Sequence, residues 1–300
     1  MPRLIRWIWI VCASHFAIGM VAYAHFLATG SYSILTWYFW IPGTVFFLVA
    51  TLAETFLAFQ CSAGFERDEP MHLAWMLITF AALSRFAGAA LIATNRWHLT
   101  WITGISSQAA ALVSLQGLAR VGAVVGGPVS MIFLAAGLAR VLQVQRKFGI
   151  LGGLTGVDRL LIAMILAFTL SQIAIFVPLA FTHPPVSTVI LWLSDPLLSV
   201  LLIEAVLVRR SMLRVGHGLI AQCWGMYVTA IIATSAGDAA IWAEGRQILS
   251  APLTALSWYI WFLAAAAFAC APAYQFAAVS LPLASTGNAN ERAGVAPPAI

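Results

Sequence analysis

VSTVILWLSDPLLSVLLIEAVLVRRSMLRVGHGLIAQCWGMYVTAIIATSAGDAAIWA, residues Val186 to Ala243, reads as two apolar runs joined by a short basic turn, Arg209-Arg210-Ser211-Met212-Leu213-Arg214. Each run can cross roughly 30 Å of hydrocarbon, which takes about 20 residues of helix. Yet each carries carboxylates: Asp195 and Glu204 on the first run, Asp238 on the second. Ionisable groups are costly in such surroundings and tend to face the bundle interior, where they pair or serve a site.

Outward from this stretch the pattern repeats. The chain is 62% hydrophobic and 8% charged, against about 25% charged in soluble domains. Eight apolar runs follow one another, so the expected fold is all-α, a polytopic membrane helix bundle of about eight transmembrane helices. They are read at about Ile5–Ala28, Ile34–Phe59, Leu73–Thr94, Ala119–Val144, Val157–Phe181, the two runs already quoted, and Pro252–Val279. Asn95 to Leu118 fits either a surface helix or an early start to the fourth helix. Gly126-Gly127-Pro128 is expected to kink that helix. A glycine-rich linker, residues 149–156, divides a first half (1–148) from a second (157–280). The Ala/Pro/Gly/Asn-rich tail, 281–300, is expected to be disordered.

The net charge of +5 is no nucleic-acid signal, because the basic residues sit at helix ends. Placing the N-terminus inside puts Arg3, Arg6, Arg67, Arg146, Lys147, Arg209, Arg210 and Arg214 on the inner side and leaves Arg96 and Arg246 outside, the positive-inside pattern. The expected location is an inner (plasma) membrane with both termini cytoplasmic and the lipid bilayer as principal partner. Cys12, Cys61, Cys223 and Cys270 then fall on the reducing side. Arg3 and Arg6 before an apolar run ending near Ala22-Tyr23-Ala24 imitate a secretory signal. That run exceeds the usual 7–15 residues of such a core, so the first helix is expected to be retained.

The halves look like weak copies. The Trp75–Gly88 and Trp224–Gly237 spacings are identical, and Glu54 precedes Trp75 much as Glu204 precedes Trp224. Four helices per copy makes these parallel repeats about an axis along the membrane normal. Pro42 and Pro196 each lie early in the second helix of a half, a pattern that either points to a binding site or reflects simple tolerance of proline in membranes.

Ser194-Asp195-Pro196 admits two readings. Asp195 either caps a second half-helix starting at Pro196 or faces a central cavity. Along straight helices at 1.5 Å per residue, Asp195 lies roughly 12 Å below the outer end and Arg85 roughly 18 Å above the inner end. The two are level, with Asp238 within reach, so Arg85 is expected to pair with Asp195 or Asp238. Trp192 and Trp242 either join an aromatic belt or wall an outward pocket above these acids, an arrangement suited to an organic cation. Glu54 and Glu204 are secondary candidates, expected to reach the cytoplasmic interface. His15 is the one histidine near mid-membrane. A bis-histidine haem needs two at one depth, and the single lysine, Lys147, sits at a helix end where no buried Schiff base can form. The glycine-rich linker lacks a phosphate-binding pattern, and the cysteines lack metal spacing. No cofactor, metal site or catalytic constellation is therefore expected.

The pattern Trp224…Gly237-Asp238-x-x-x-Trp242 resembles membrane-embedded sensory modules that precede signalling domains in bacterial proteins. That resemblance implies a ligand or membrane-state sensor, which would here need a separate signalling partner. The expected function is a small-molecule-binding or sensory module with an intramembrane polar site facing the outer side. The alternatives are a small proton-coupled secondary transporter of cationic or amphiphilic substrates, and an accessory subunit of a membrane complex.

Overall fold

The computed structural model describes residues 3–103, 117–180, 186–245 and 251–280. Among them are eight helices: α1 (Arg3–Thr29), α2 (Ser33–Ala63), α3 (Pro70–Thr103), α4 (Leu118–Lys147), α5 (Gly156–Ala180), α6 (Val186–Val215), α7 (Leu219–Gly245) and α8 (Ala251–Ser280). No strand is present among the described residues. Six apolar stretches, in α1, α2, α3, α4, α7 and α8, are long enough to cross a membrane. Helices are the natural solution for these runs, because a bilayer offers backbone groups no water and every N–H and C=O must be satisfied within the segment.

The helices close a ring. α2 packs on α3, α3 on α4, α4 on α6, α6 on α7, α7 on α8, and α8 returns to α2. α5 lies outside against α6, and α1 outside against α2 and α8. These outer helices turn large apolar side chains away from the protein: Val157 is 76% exposed and Val21 70%. In water such surfaces would drive aggregation; in lipid they are the expected exterior.

Inside the ring the residues are large and fully buried. Trp75 on α3 and Trp224 on α7 meet with ring centroids 5.9 Å apart, and Tyr227 packs tilted one turn further along at 5.5 Å from Trp224. Small residues let the walls approach. A Cβ at Gly88 would fall on the Gly122 carbonyl and the Gly126 backbone, so α3 and α4 touch main chain to main chain, the packing expected of the Gly122-xxx-Gly126 spacing. On α8, Ala264, Ala265, Ala266 and Ala267 are all buried.

Proline shapes two of the helices. Phe39–Gly43 around Pro42 and Val125–Val129 around Pro128 are π-helical, with Gly127 at φ −94°, ψ −105°. In each case a hydroxyl two residues past the proline bonds a carbonyl of the interrupted turn: Thr44 Oγ1 donates to Phe39 O (3.0 Å) and Ser130 Oγ to Gly126 O (2.7 Å). Pro196 behaves otherwise. α6 runs through it without a break, so Asp195 caps no half-helix, and the second proline interruption belongs to Pro128 in α4.

Two boundaries also differ from expectation. The residues Arg209 to Arg214 are not a turn but the last turns of α6; the connection is Gly216-His217-Gly218. Their guanidinium groups hold the glycine-rich linker instead. Arg210 pairs with Asp158 and donates to Gly153 O (3.2 Å), while Arg214 lies against Gly152. Thr155 and Asp158 form a reciprocal cap at the start of α5, Asp158 accepting from Thr155 N at 2.5 Å and Asp158 N reaching Thr155 Oγ1 at 3.3 Å. Such a Thr-x-x-acid pattern satisfies two orphan donors of a helix start at once. α3 extends to Thr103, so the start of the ambiguous 95–118 stretch is a continuation of α3. Residues 104–116, and the tail 281–300, lie outside the described residues.

Candidate polar sites inside the bundle

Asp195 on α6 and Asp238 on α7 stand on adjacent walls of the ring, and both are partly buried. Asp238 is close enough to Asp195 for the two carboxyl groups to interact electrostatically. Asp238 Oδ1 accepts a hydrogen bond from Trp261 Nε1 of α8 at 3.1 Å. Gly237 makes that contact possible, because a Cβ there would collide with the Trp261 indole. Beside Asp195, buried Ser194 faces Gly127 in the interrupted part of α4. The Asp195 carbonyl accepts from Ser199 Oγ (3.1 Å), which in turn receives Thr169 Oγ1 of α5 (2.5 Å). Among the described residues no Arg, Lys or His pairs with either acid.

The arginine expected there is elsewhere. Arg85 forms a bidentate pair with Glu54 of α2, Nε donating to Oε2 at 3.1 Å and Nη2 donating to Oε1. Glu54 is fully buried and does not reach an interface. The reason is directional. A helical Cβ tilts toward its helix's N-terminus, and α2 and α3 are neighbours joined by the short 64–69 connection, running opposite ways. Arg85 therefore leans toward that connection and Glu54 away from it, so the side chains meet although their Cα depths differ. The Arg85 guanidinium also lies 4.2 Å from the Phe268 ring centroid, a cation–π contact that gains strength when desolvated.

Glu204, on the α6 wall, has no such partner. Its Oε2 is buried and unbonded among the described residues, because Arg210 is committed to Asp158 and Arg209 lies against Gly225 of α7. His15 is part of an aromatic cluster, not a lone polar residue. Its Nε2 is 2.7 Å from Tyr38 Oη and its ring stacks on Phe46 at 3.9 Å. Tyr259 Oη closes the same cluster by donating to Gly19 O at 2.5 Å. Trp192 and Trp242 are placed on α6 and α7 by their backbones; their side chains lie outside the described residues.

Thus Asp195 and Asp238 come together, while Arg85, Glu54, Glu204 and His15 go to separate places. Trp261, the direct partner of Asp238, had no sequence signal beyond its place among the outer tryptophans, because the α7–α8 pairing that aims it is a tertiary fact. Thr155-x-x-Asp158 was readable as a cap by its spacing alone. No known family, curated protein or solved structure matches this chain. The resemblance of Trp224…Trp242 to sensory modules therefore rests on those residues. In the structure Trp224 packs on Trp75, and Gly237 and Asp238 receive Trp261.

Proposed function

We propose that this protein is a membrane-embedded binding or sensory module whose site is the Asp195–Asp238 pair, and that the pair takes a proton or a small organic cation. The observation that carries this reading is that neither carboxylate has a cationic partner among the described residues. Asp195 and Asp238 stand on adjacent helices of the ring, and Arg85, the arginine expected to pair with them, is spent on Glu54. Like charges held together in a poorly solvated place favour uptake of a positive charge. The indole at Asp238 adds an aromatic surface of the kind that suits cationic ligands. The positive-inside pattern of the arginines supports a site in the outer half of the membrane.

The ring order is unchanged when the first four helices are exchanged for the last four, and the corresponding Trp75 and Trp224 meet at the centre. Both features support descent of the two halves from one four-helix unit. A second reading, a small proton-coupled transporter, is favoured by the π-helical segments of α2 and α4, since broken helices and repeats are common parts of transporters.

The test is a thermal-shift titration of the detergent-purified protein over pH 5–8 against organic cations, with quinones as a neutral panel. Asp195→Asn and Asp238→Asn are run beside it. Stabilisation by cations, lost in both variants, is the expected result. Accumulation of the same cation in sealed vesicles would move the assignment to transport. Indifference to every ligand, with both variants simply less stable, would leave the acids as helix glue and favour an accessory subunit.

A further inference from the structure

The ring holds a second polar centre, on the basic-end side of the acid pair. Two of its groups are fully buried and lack a hydrogen-bond partner among the described residues: Trp75 Nε1 and Tyr227 Oη. Both belong to the packed core that contains Trp224 and Phe268. Phe268 links Tyr227 to the ion pair, its ring lying 6.1 Å from that of Tyr227 and 4.2 Å from the Arg85 guanidinium, and Trp75 joins Tyr227 through Trp224, at 5.9 and 5.5 Å. Tyr227 is close enough to feel the charges of both Glu54 and Arg85. An unsatisfied buried hydroxyl or indole N–H is expensive, and native cores rarely keep two near one ion pair.

We propose that this centre is a binding site for internal water, which joins Tyr227 Oη and Trp75 Nε1 to the Glu54–Arg85 pair. The donor inventory fits. The indole only donates, the phenol both donates and accepts, and each Glu54 oxygen retains a lone pair after its bond to Arg85. Water can accept from the first and donate to the last, within the two to four partners a buried water requires. On α7, Tyr227, Thr234 and Asp238 fall within about 40° of one helical face at 3.6 residues per turn, so this water lies on the same inner line as the outer acid pair.

The experiment turns on a sign. Tyr227→Phe removes one hydroxyl and keeps the ring. If water couples that hydroxyl to the ion pair, the melting midpoint of the full-length protein falls, and the loss is not additive with that of Glu54→Gln. In bilayers, magic-angle-spinning NMR then shows magnetisation passing from water to the Trp75 indole N–H. If the hydroxyl is merely stranded, Tyr227→Phe raises the midpoint or leaves it unchanged, which overturns the proposal. Additive shifts, or a Trp75 indole N–H that receives nothing from water, overturn it equally. Should Glu54→Gln fail to fold, the sign for Tyr227→Phe and the NMR transfer decide.

Discussion

The α2–α3 pair and the α6–α7 pair each bury acid in an apolar wall, and they treat it in opposite ways. On α2 and α3 the carboxylate of Glu54 is matched by a bidentate arginine and capped by an aromatic face. On α6 and α7 three acids lie deep in the apolar runs, Asp195, Glu204 and Asp238; among the described residues none has a cationic partner, and Asp238 accepts from the Trp261 indole. The first arrangement holds helices together. Under the proposed function, the second takes up a positive charge. Where the arginine goes decides which pair is structure and which is available for binding.

The largest effect should come from breaking the satisfied pair. Arg85→Ala leaves Glu54 charged and alone, and removing one partner of a buried pair costs about 3–5 kcal/mol. Chemical or thermal unfolding in detergent measures it. Replacing both partners at once, as Glu54→Leu with Arg85→Met, should recover most of that loss. A double variant as unstable as the single one would mean that the pair does more than hold helices.

An intermediate effect should separate the two glycines at corresponding positions. Gly88→Ala drives a methyl into the α4 backbone, which cannot step aside, whereas Gly237→Ala meets the Trp261 side chain, which can. Overpacking of this kind costs about 1–3 kcal/mol, with Gly88→Ala at the upper end and Gly237→Ala at the lower. Gly237→Ala should also displace Trp261 from Asp238 and weaken cation binding, which Gly88→Ala should not. Equal losses of stability and binding in both variants would erase the distinction between the two regions.

The smallest change in stability should be that of Asp238→Asn. It removes a carboxyl that has no cationic partner among the described residues while keeping an acceptor for Trp261, so the melting midpoint should hold or rise slightly at neutral pH. A fall as large as that of Arg85→Ala would show that Asp238 is a structural anchor like Glu54.

Much of the architecture was legible because the bilayer narrows the choices. Apolar runs of sufficient length must be helices, and α1 to α8 lie close to the runs read from composition. The interruption at Pro128 was legible from its two glycines. Pro196 was not, because whether a helix absorbs a proline depends on its neighbours. The partnership of Arg85 was misjudged because depth along straight helices locates Cα atoms. An arginine and a glutamate on antiparallel neighbours lean toward each other by several ångströms, a matter of side-chain direction and ring order. Asp195 and Asp238 could be found as charges out of place, but their closeness needed the α6–α7 packing.

Lys147, which closes α4 beside exposed Phe148 at the basic end, gives the molecule one further property. It is the chain's single lysine, so its ammonium is the one side-chain target for an amine-specific reagent. If the basic end is cytoplasmic, a membrane-impermeant acylating probe applied to sealed right-side-out membrane vesicles should leave this residue untouched and should modify it once the vesicles are opened or inverted. One peptide in a mass spectrum then fixes which way the whole ring faces, and with it the compartment from which the acid pair is reached.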